Sequence, residues 1–180
     1  LGIVMALARM SKFRPLSLVA QFYISILRGT PLMLQLMAFM FAPYYLFGIS
    51  MDTDWKYGAC AVGFILNYSA YFAEIYRSGL QSIPKGQYEA ALVLGYSRSQ
   101  TFFKIVLPQV IKRIMPAMGN EIITLVKDTS LAFVLGIAEM FSVAKAISAS
   151  EVSMIPYALA ALISWVFCLL IEFIIGRDEK

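Results

Sequence analysis

Long apolar runs alternate with short, mostly basic segments along this chain, and the alternation predicts a bundle of membrane-crossing helices. The apolar runs cover residues 31–48, 57–76, 114–135 and 156–175. Because a bilayer core takes about 20 helical residues, each run predicts one crossing. Residues 1–8 are apolar but too few, so we expect them to be the end of a truncated first span. The pattern predicts an all-α polytopic membrane protein with about five transmembrane helices.

Two further segments predict helices that are not complete crossings. Residues 16–27 are moderately apolar and predict a helix that lies along the membrane surface or extends the next span inward. Small residues between positions 144 and 150 predict short helices at the outer mouth of the bundle.

The distribution of lysine and arginine predicts which segments face the cytoplasm. Of the 15 basic residues, four lie in residues 9–30, six in 77–113 and two in 177–180, with Lys127 inside an apolar run. Short cytoplasmic loops carry an excess of basic residues, so these three segments are expected inside. The loop at 51–56 carries Asp52 and Asp54 and is expected outside. The amino end is therefore predicted outside and the carboxyl end in the cytoplasm.

Composition narrows the chemistry of the chain. Hydrophobic residues make up 60% of it and the mean hydropathy is +0.74, outside the range of ordinary soluble proteins. The net charge of +4 is dispersed rather than gathered in a patch, so no nucleic-acid binding is expected. There is no histidine, the two cysteines lie singly in apolar runs, and no GxxxxGK[ST] phosphate loop occurs. We therefore expect no metal, no cofactor, no enzymatic activity and no ATPase site.

A basic, amphipathic segment at residues 84–108 lies between two of the apolar runs. Pro84 suits the first turn of a helix, and Gly95 suits the left-handed position that ends one. Ser97 and Gln100 have the spacing of a capping box, so a second helix is expected to begin there and run toward Pro108. The segment predicts a helix, a glycine break and a second helix.

The same segment resembles the EAA loop of binding-protein-dependent ABC importer permeases. The matching residues, at matching spacing, are Glu89, Ala90, Ala91, Gly95, Ile105, Leu107 and Pro108. The flanking sequences RGTP at 28–31, NYSAYFAEIYR at 67–77 and KDTSL at 127–131 resemble the polar amino acid subfamily. The resemblance covers nearly the whole chain. It implies that residues 1–180 form a type I ABC permease domain, truncated at its amino end, with a coupling loop at 84–108.

The resemblance also implies a function and partners. It implies a permease subunit of an ATP-driven importer that moves a polar amino acid across the bacterial cytoplasmic membrane. The implied partners are an ABC ATPase subunit, a second permease subunit in a homo- or heterodimer, and a periplasmic or lipid-anchored solute-binding protein, besides membrane lipid. The chain holds no second, inverted copy of itself, which also favours pairing with another permease chain.

Within the loop, the resemblance implies a cytoplasmic helix that docks on the ATPase. Glu89 is the expected polar contact, Ala90 and Ala91 allow close approach, and Gly95 sets the bend. The second helix is expected to pack on the bundle through Phe102, Phe103 and Ile105. The alternative is that Glu89 and the alanines are good helix formers on a solvated face.

Polar residues within the spans predict a substrate pathway, since ionisable groups are costly in lipid and tend to mark functional sites. They form two stripes at helical spacing: Asn67, Tyr71 and Glu74 on one span, and Glu121, Thr124 and Asp128 on the next. The two stripes are expected to face each other across a pocket. Alternatively, Glu74 or Glu121 pairs with Lys127 as an interhelical pin, or Glu74 is solvated near Arg77. With Glu172, the acids in the spans exceed the bases by three, which favours a basic amino acid.

Two other function classes remain as alternatives. A small secondary carrier or ion channel could use the same acids without an ATPase. Against it stand the loop motif, the missing inverted repeat and the lack of a predicted pair of broken helices. A membrane-embedded enzyme has no histidine, nucleophile motif or ligand spacing to support it.

Overall fold

The computed structural model describes residues 1–48, 50 and 52–178, and the described residues are helical with no strand. The helices are α1 (Gly2–Arg9), α2 (Arg14–Gly29), α3 (Leu32–Phe47), α4 (Thr53–Gln81), α5 (Lys85–Val93), α6 (Arg98–Gln100), a π-helical turn (Thr101–Val106), α7 (Leu107–Asp128), a 3-10 turn (Thr129–Leu135), α8 (Met140–Glu151) and α9 (Ile155–Asp178). The predicted outer loop at 51–56 and inner end at 177–180 include residues 51, 179 and 180, which lie outside the described residues.

The helix α4 lies at the centre of the fold and packs against α1, α2, α3 and α7. It begins at Asp52, whose side chain accepts a hydrogen bond from the Trp55 backbone N–H. Small residues let the neighbouring helices approach closely. A Cβ atom at Gly63 would lie 2.6 Å from Leu36 Cδ2. Small residues at helix contacts are typical of membrane bundles.

The span predicted at residues 31–48 corresponds to α3, and the helix predicted at 16–27 corresponds to α2. The helix α3 has 16 residues and is about 24 Å long at 1.5 Å per residue, short of the bilayer core of about 30 Å. It is bent by 109° from α2. The two helices meet α4 at different levels: the Leu27 carbonyl of α2 accepts a hydrogen bond from Asn67, and the Met40 carbonyl of α3 accepts one from Trp55. A pair of helices bent in this way is a broken span or a re-entrant loop, so the predicted lack of broken helices stays a prediction.

The second helix of the loop also differs from expectation, because it does not end at Pro108. It passes through the π-helical turn into α7 and continues to Asp128. Proline has no N–H and crowds the carbonyl four residues earlier, but it is tolerated in a first turn. Pro108 stands at such a position, directly after the π-helical turn. The predicted span at 114–135 is thus the outer two thirds of α7 plus the 3-10 turn.

By length and composition, fewer helices qualify as membrane-crossing than the five expected. Among the described residues, Ile155–Gly176 in α9 is long and apolar enough to cross a bilayer alone. Two bent pairs, α2 with α3 and the α6–3-10 stretch with α8, raise the number to at most three. The helix α4 is long enough at 29 residues, but polar side chains such as Asn67 and Glu74 lower its mean hydropathy. One helix, α8, covers residues 144–150, where short helices were expected, and its location at the outer mouth stays a prediction.

Candidate functional site

The loop between α4 and α7 has the predicted helix, glycine break and helix. The helix α5 ends at Val93, and Gly95 has φ +76°, in the left-handed region that glycine adopts without steric cost. The Ser97 hydroxyl accepts from the Gln100 N–H at 3.3 Å, and the Gln100 side chain accepts from the Ser97 N–H at 2.9 Å. The predicted capping box is therefore confirmed. Local interactions fix the angle between α5 and the helix that follows.

One side of α5 is buried, whereas its C-terminal tip is exposed and apolar. Ala91 is 1% exposed, and α5 packs against the π-helical turn. Glu89 and Ala90 are exposed. The tip, formed by Leu92, Val93 and Leu94, is 73–87% exposed. The sequence analysis selected the Glu89 side of α5 and missed this apolar tip, whose signal is three consecutive aliphatic residues directly before the glycine.

The base of the loop packs on the bundle through residues that were only partly anticipated. Buried Ile83, Val106, Val110 and Ile114 form a cluster, and Phe102 packs against it as expected. Phe103 is 65% exposed, so its predicted packing is wrong. Among the motif residues, Ile105 and Leu107 are half-buried and Pro108 is exposed.

Glu74 is the centre of an ion-pair cluster that joins three helices. It lies 2.6 Å from Arg77 Nη2 and 2.9 Å from Arg9 Nε, while Arg28 Nη1 is 3.9 Å away. These are the salt bridges of the described part of the chain, and Lys127 forms none with Glu74 or Glu121 there. The expected Lys127 pins are therefore wrong. Glu74 instead ties α4 to the ends of α1 and α2.

Asn67 acts on the break between α2 and α3. It is 3% exposed and donates from Nδ2 to the Leu27 carbonyl at 3.1 Å and to Gln35 Oε1 at 3.0 Å. Gln35, itself 7% exposed, donates to the carbonyls of Leu27 and Thr30 at 2.9 and 3.0 Å. The two amides satisfy carbonyl groups that the helix break leaves without helical partners. Asn67 therefore faces α2 and α3 rather than α7.

A hydrogen bond between side chains of α4 and α7 is made by Tyr68, which the sequence analysis did not select. Its hydroxyl donates to Asp128 Oδ2 at 2.7 Å. Thr124 donates to the Asn120 carbonyl of its own helix, and Glu121 is half-buried. Among the described residues, no hydrogen bond or salt bridge joins the two predicted stripes, whereas Tyr68, one position along from Asn67, contacts the α7 stripe. The arrangement of the two stripes across a pathway stays a prediction.

A polar cavity of about 460 Å³ lies where α1, α2 and α4 meet. Its polar lining residues are Arg9, Gln21, Ser25, Arg28, Tyr71 and Glu74. The Arg28 guanidinium lies over the Tyr71 ring, 5.2 Å from its centroid. Two of the predicted pathway residues, Tyr71 and Glu74, thus share one open chamber.

The profile of a family described as the inner membrane component of binding-protein-dependent transport systems matches residues 1–177. The chain belongs to this family. This match confirms the resemblance noted in the sequence. Because its curated relatives are permeases of amino-acid ABC transporters, the chain is an amino-acid ABC transport permease.

Several relatives of this permease carry names that specify an amino acid. The L-cystine transport system permease protein TcyB of Bacillus subtilis is 40% identical, over 97% of this chain and 74% of that one. The arginine transport system permease protein ArtQ of the same organism is 41% identical, over 100% and 81%. A putative glutamine transport system permease protein of Rickettsia bellii is 37% identical, over 100% and 82%.

A solved structure supports the same fold. The crystal structure of an amino acid ABC transporter with histidines has a chain that is 35% identical to this permease. The TM-score is 0.86, and the match covers 99% of this chain and 82% of that chain. The permease is thus a polytopic helical membrane protein and a membrane transport subunit.

Proposed function

We propose that this permease is a subunit of an ATP-driven, binding-protein-dependent importer that moves a polar amino acid across the bacterial cytoplasmic membrane. ATP hydrolysis resides on a separate ABC ATPase subunit. A second permease chain, in a homo- or heterodimer, completes the pathway, and a periplasmic or lipid-anchored solute-binding protein delivers the amino acid. The amino end lies outside and the carboxyl end in the cytoplasm.

The observation that carries this proposal is the bare apolar tip of α5. Leu92, Val93 and Leu94 lie in a loop whose flanks hold six basic residues, on the predicted cytoplasmic side, where lipid does not cover them. Large apolar side chains exposed together mark interaction sites. Docking of this tip in a groove of the ATPase removes it from water, and exposed Glu89 adds a polar contact at the rim.

The loop is also built to transmit force. Its helix is short, its bend is fixed by Gly95 and by the Ser97–Gln100 capping box, and its base is packed through Val106 and Ile114. A loop held at each of these points passes a displacement on to α4 and α7 instead of absorbing it. The EAA residues Glu89, Ala90, Ala91, Gly95, Ile105, Leu107 and Pro108 are proposed to serve this coupling.

For the substrate, we infer a polar amino acid, and the relatives named for cystine, arginine and glutamine support this class. The excess of negative charge in the spans, which favours a basic amino acid, is smaller than expected because Arg9 and Arg77 neutralise Glu74. Glu121, Asp128 and Glu172 still exceed Lys127 by two negative charges. Tyr71, Glu121, Thr124 and Asp128 are proposed to line the pathway, with Asn67 and Glu74 holding its walls. Competition by arginine, lysine, glutamine and glutamate for uptake ranks the candidates, and a preference for glutamate removes the basic class.

Paired valine variants test the proposal. Val93 and Val152 are 87% and 93% exposed but lie at the predicted inner and outer ends of the bundle. Val93→Asp places a charge in the docking tip and should abolish co-purification of the ATPase in mild detergent and ATP-driven uptake in reconstituted vesicles. Val152→Asp should leave co-purification unchanged, since Val152 has φ 49°, a conformation that aspartate tolerates. Uptake that persists without the ATPase would establish the carrier alternative.

A further inference from the structure

The arginine at the inner end of the helix break, Arg28, differs from the other two arginines around Glu74. Arg77 donates to both Glu74 carboxylate oxygens, from Nε at 3.2 Å to each and from Nη2 at 2.6 Å. Arg9 Nε lies 2.9 Å from Oε1. Arg28 approaches only to 3.9 Å, beyond hydrogen-bond distance. Glu74 is thus satisfied without Arg28.

The guanidinium of Arg28 is nevertheless held in place. It stacks over the Tyr71 ring at 5.2 Å, and its backbone lies in the last turn of α2, next to the Leu27 carbonyl that Asn67 and Gln35 fix. Within the described residues it makes no hydrogen bond, so its donors remain available to a ligand. A planar, oriented guanidinium with available donors matches the geometry of a carboxylate.

The cavity in front of Arg28 fits an amino acid in size and charge. Its volume is about 460 Å³, and its charged lining groups, Arg9, Arg28 and Glu74, sum to +1. The cavity also holds the polar groups of Gln21, Ser25 and Tyr71, which can contact the rest of a bound amino acid.

The polar lining of the cavity and the exposed apolar residues of α2 lie on different faces of that helix. Gln21, Ser25 and Arg28 recur at helical spacing and line the cavity. The exposed apolar residues Phe22 and Ile26 lie on another face of the same helix, where they suit acyl chains. The face that carries Arg28 is therefore the polar one, which favours a water-borne carboxylate over a lipid headgroup.

We propose that Arg28 binds the α-carboxylate of the transported amino acid in this cavity, which makes it a substrate-binding residue; this inference rests on the proposed function. The Tyr71 ring orients the guanidinium, and Glu74 holds Arg9 and Arg77 away from the ligand. A carboxylate is then required of every substrate, whatever its side chain.

Direct binding to the permease–ATPase complex, purified without the solute-binding protein, tests this. The probes are tritiated L-arginine and L-glutamine, each competed by its unlabelled form and by L-argininamide or L-glutaminamide, which lack the carboxylate. Since a hydrogen bond to a charged group contributes about 1.5–3 kcal/mol, the wild-type complex should prefer an acid over its amide by about 10- to 100-fold. Arg28→Gln should bind acid and amide alike, and Arg28→Lys should retain part of the preference.

The matched control is Arg14→Gln, which makes the same change at an exposed arginine of the same helix, outside the cavity. It should keep the full preference for the acid. The inference is overturned if Arg28→Gln keeps that preference, if the wild-type complex binds acid and amide equally or binds neither probe, or if native mass spectrometry shows that Arg28→Gln loses a bound anionic lipid instead. Co-purification of the ATPase, and uptake with the binding protein present, are measured on the same preparations. These two assays test the proposed function, whereas the preference for acid over amide tests the role of Arg28.

Discussion

The crossing of α4 and α7 at Gly79 gives a prediction whose size follows from the structure. A Cβ atom at Gly79 would lie 2.2 Å from Ile114 Cγ2 and 3.4 Å from Val110 Cγ1. Carbon atoms in contact are about 3.5–4.0 Å apart, so the two helices would have to separate by more than an ångström. Ile114 is 8% exposed, and its branched side chain has one preferred rotamer in a helix, so it cannot turn aside.

The variant Gly79→Ala should therefore destabilise the permease although it improves helix propensity. Overpacking costs about 1–3 kcal/mol, and replacing glycine by alanine in a helix returns up to about 1 kcal/mol. Because the 2.2 Å approach to Ile114 places the overpacking cost in the upper part of its range, we expect a net loss of about 1–2 kcal/mol, which lowers Tm by about 2–8 °C for a chain of this size. Thermal unfolding of the purified complex in detergent, followed by tryptophan fluorescence, measures the shift.

Two further variants isolate the clash. Gly58→Ala makes the same substitution in α4 at a position where nothing lies within 4 Å of the new Cβ, and it should leave Tm unchanged or raise it. Ile114→Ala removes Cγ2 and is destabilising by itself because it leaves a cavity. In that background Gly79→Ala should cost almost nothing, since the Ile114 Cβ is at an ordinary 3.7 Å. An unchanged Tm for Gly79→Ala, or strictly additive effects in the double variant, would refute the packing argument.

Two other predictions concern the loop and the link between α4 and α7. Gly95→Val forces a β-branched residue to φ +76° and should uncouple ATP hydrolysis from uptake in reconstituted vesicles; Gly86→Val is the control within α5, and full uptake by Gly95→Val would count against the coupling role. Tyr68→Phe removes the hydrogen bond to Asp128 and should lower stability by about 1–3 kcal/mol in the same unfolding assay. Tyr71→Phe should lose nothing comparable, and equal shifts for the two would contradict this assignment.

The loop could be predicted from the sequence because its structure is local. Gly95 takes the left-handed conformation that few other residues tolerate, and the capping box joins residues three apart. Neither depends on where the rest of the chain lies. The end of the second helix was wrong because Pro108 was treated as a terminus, whereas proline at the start of α7 is compatible with a continuous path.

The sequence identified the polar residues of the spans, but it could not show which residues they contact. Spacing shows that Asn67, Tyr71 and Glu74 share one face of α4, but it does not show which helix lies against that face. The partners of Glu74 include Arg9, which is 65 positions away along the chain. The sequence had placed that arginine in a cytoplasmic segment because of its charge. Only the path of α1 and α2 along α4 brings the two together.

The bend between α2 and α3 lies where the sequence separated the helix at 16–27 from the span at 31–48, but the groups that satisfy its carbonyls were not predicted. Gly29 and Pro31 signalled an interruption, but an interruption in lipid is acceptable only where other groups satisfy the exposed carbonyls. Those groups are the amides of Gln35 and Asn67. Asn67 was instead assigned to the substrate pathway, because a polar residue in a span marks a functional site by default.

The hydrogen bonds made by the Gln35 and Asn67 amides also restrict how α2 and α3 can move relative to α4. A bend whose carbonyl groups lacked hydrogen-bond partners would be free to act as a hinge. Here Gln35 of α3 and Asn67 of α4 both donate to the Leu27 carbonyl at the bend, and the Tyr23 hydroxyl of α2 donates to the Leu66 carbonyl of α4. The side-chain contacts thus hold the three helices α2, α3 and α4 together as one unit. If the loop couples to an ATPase as proposed, a displacement of the loop moves this unit as a whole, and Arg28 moves with it.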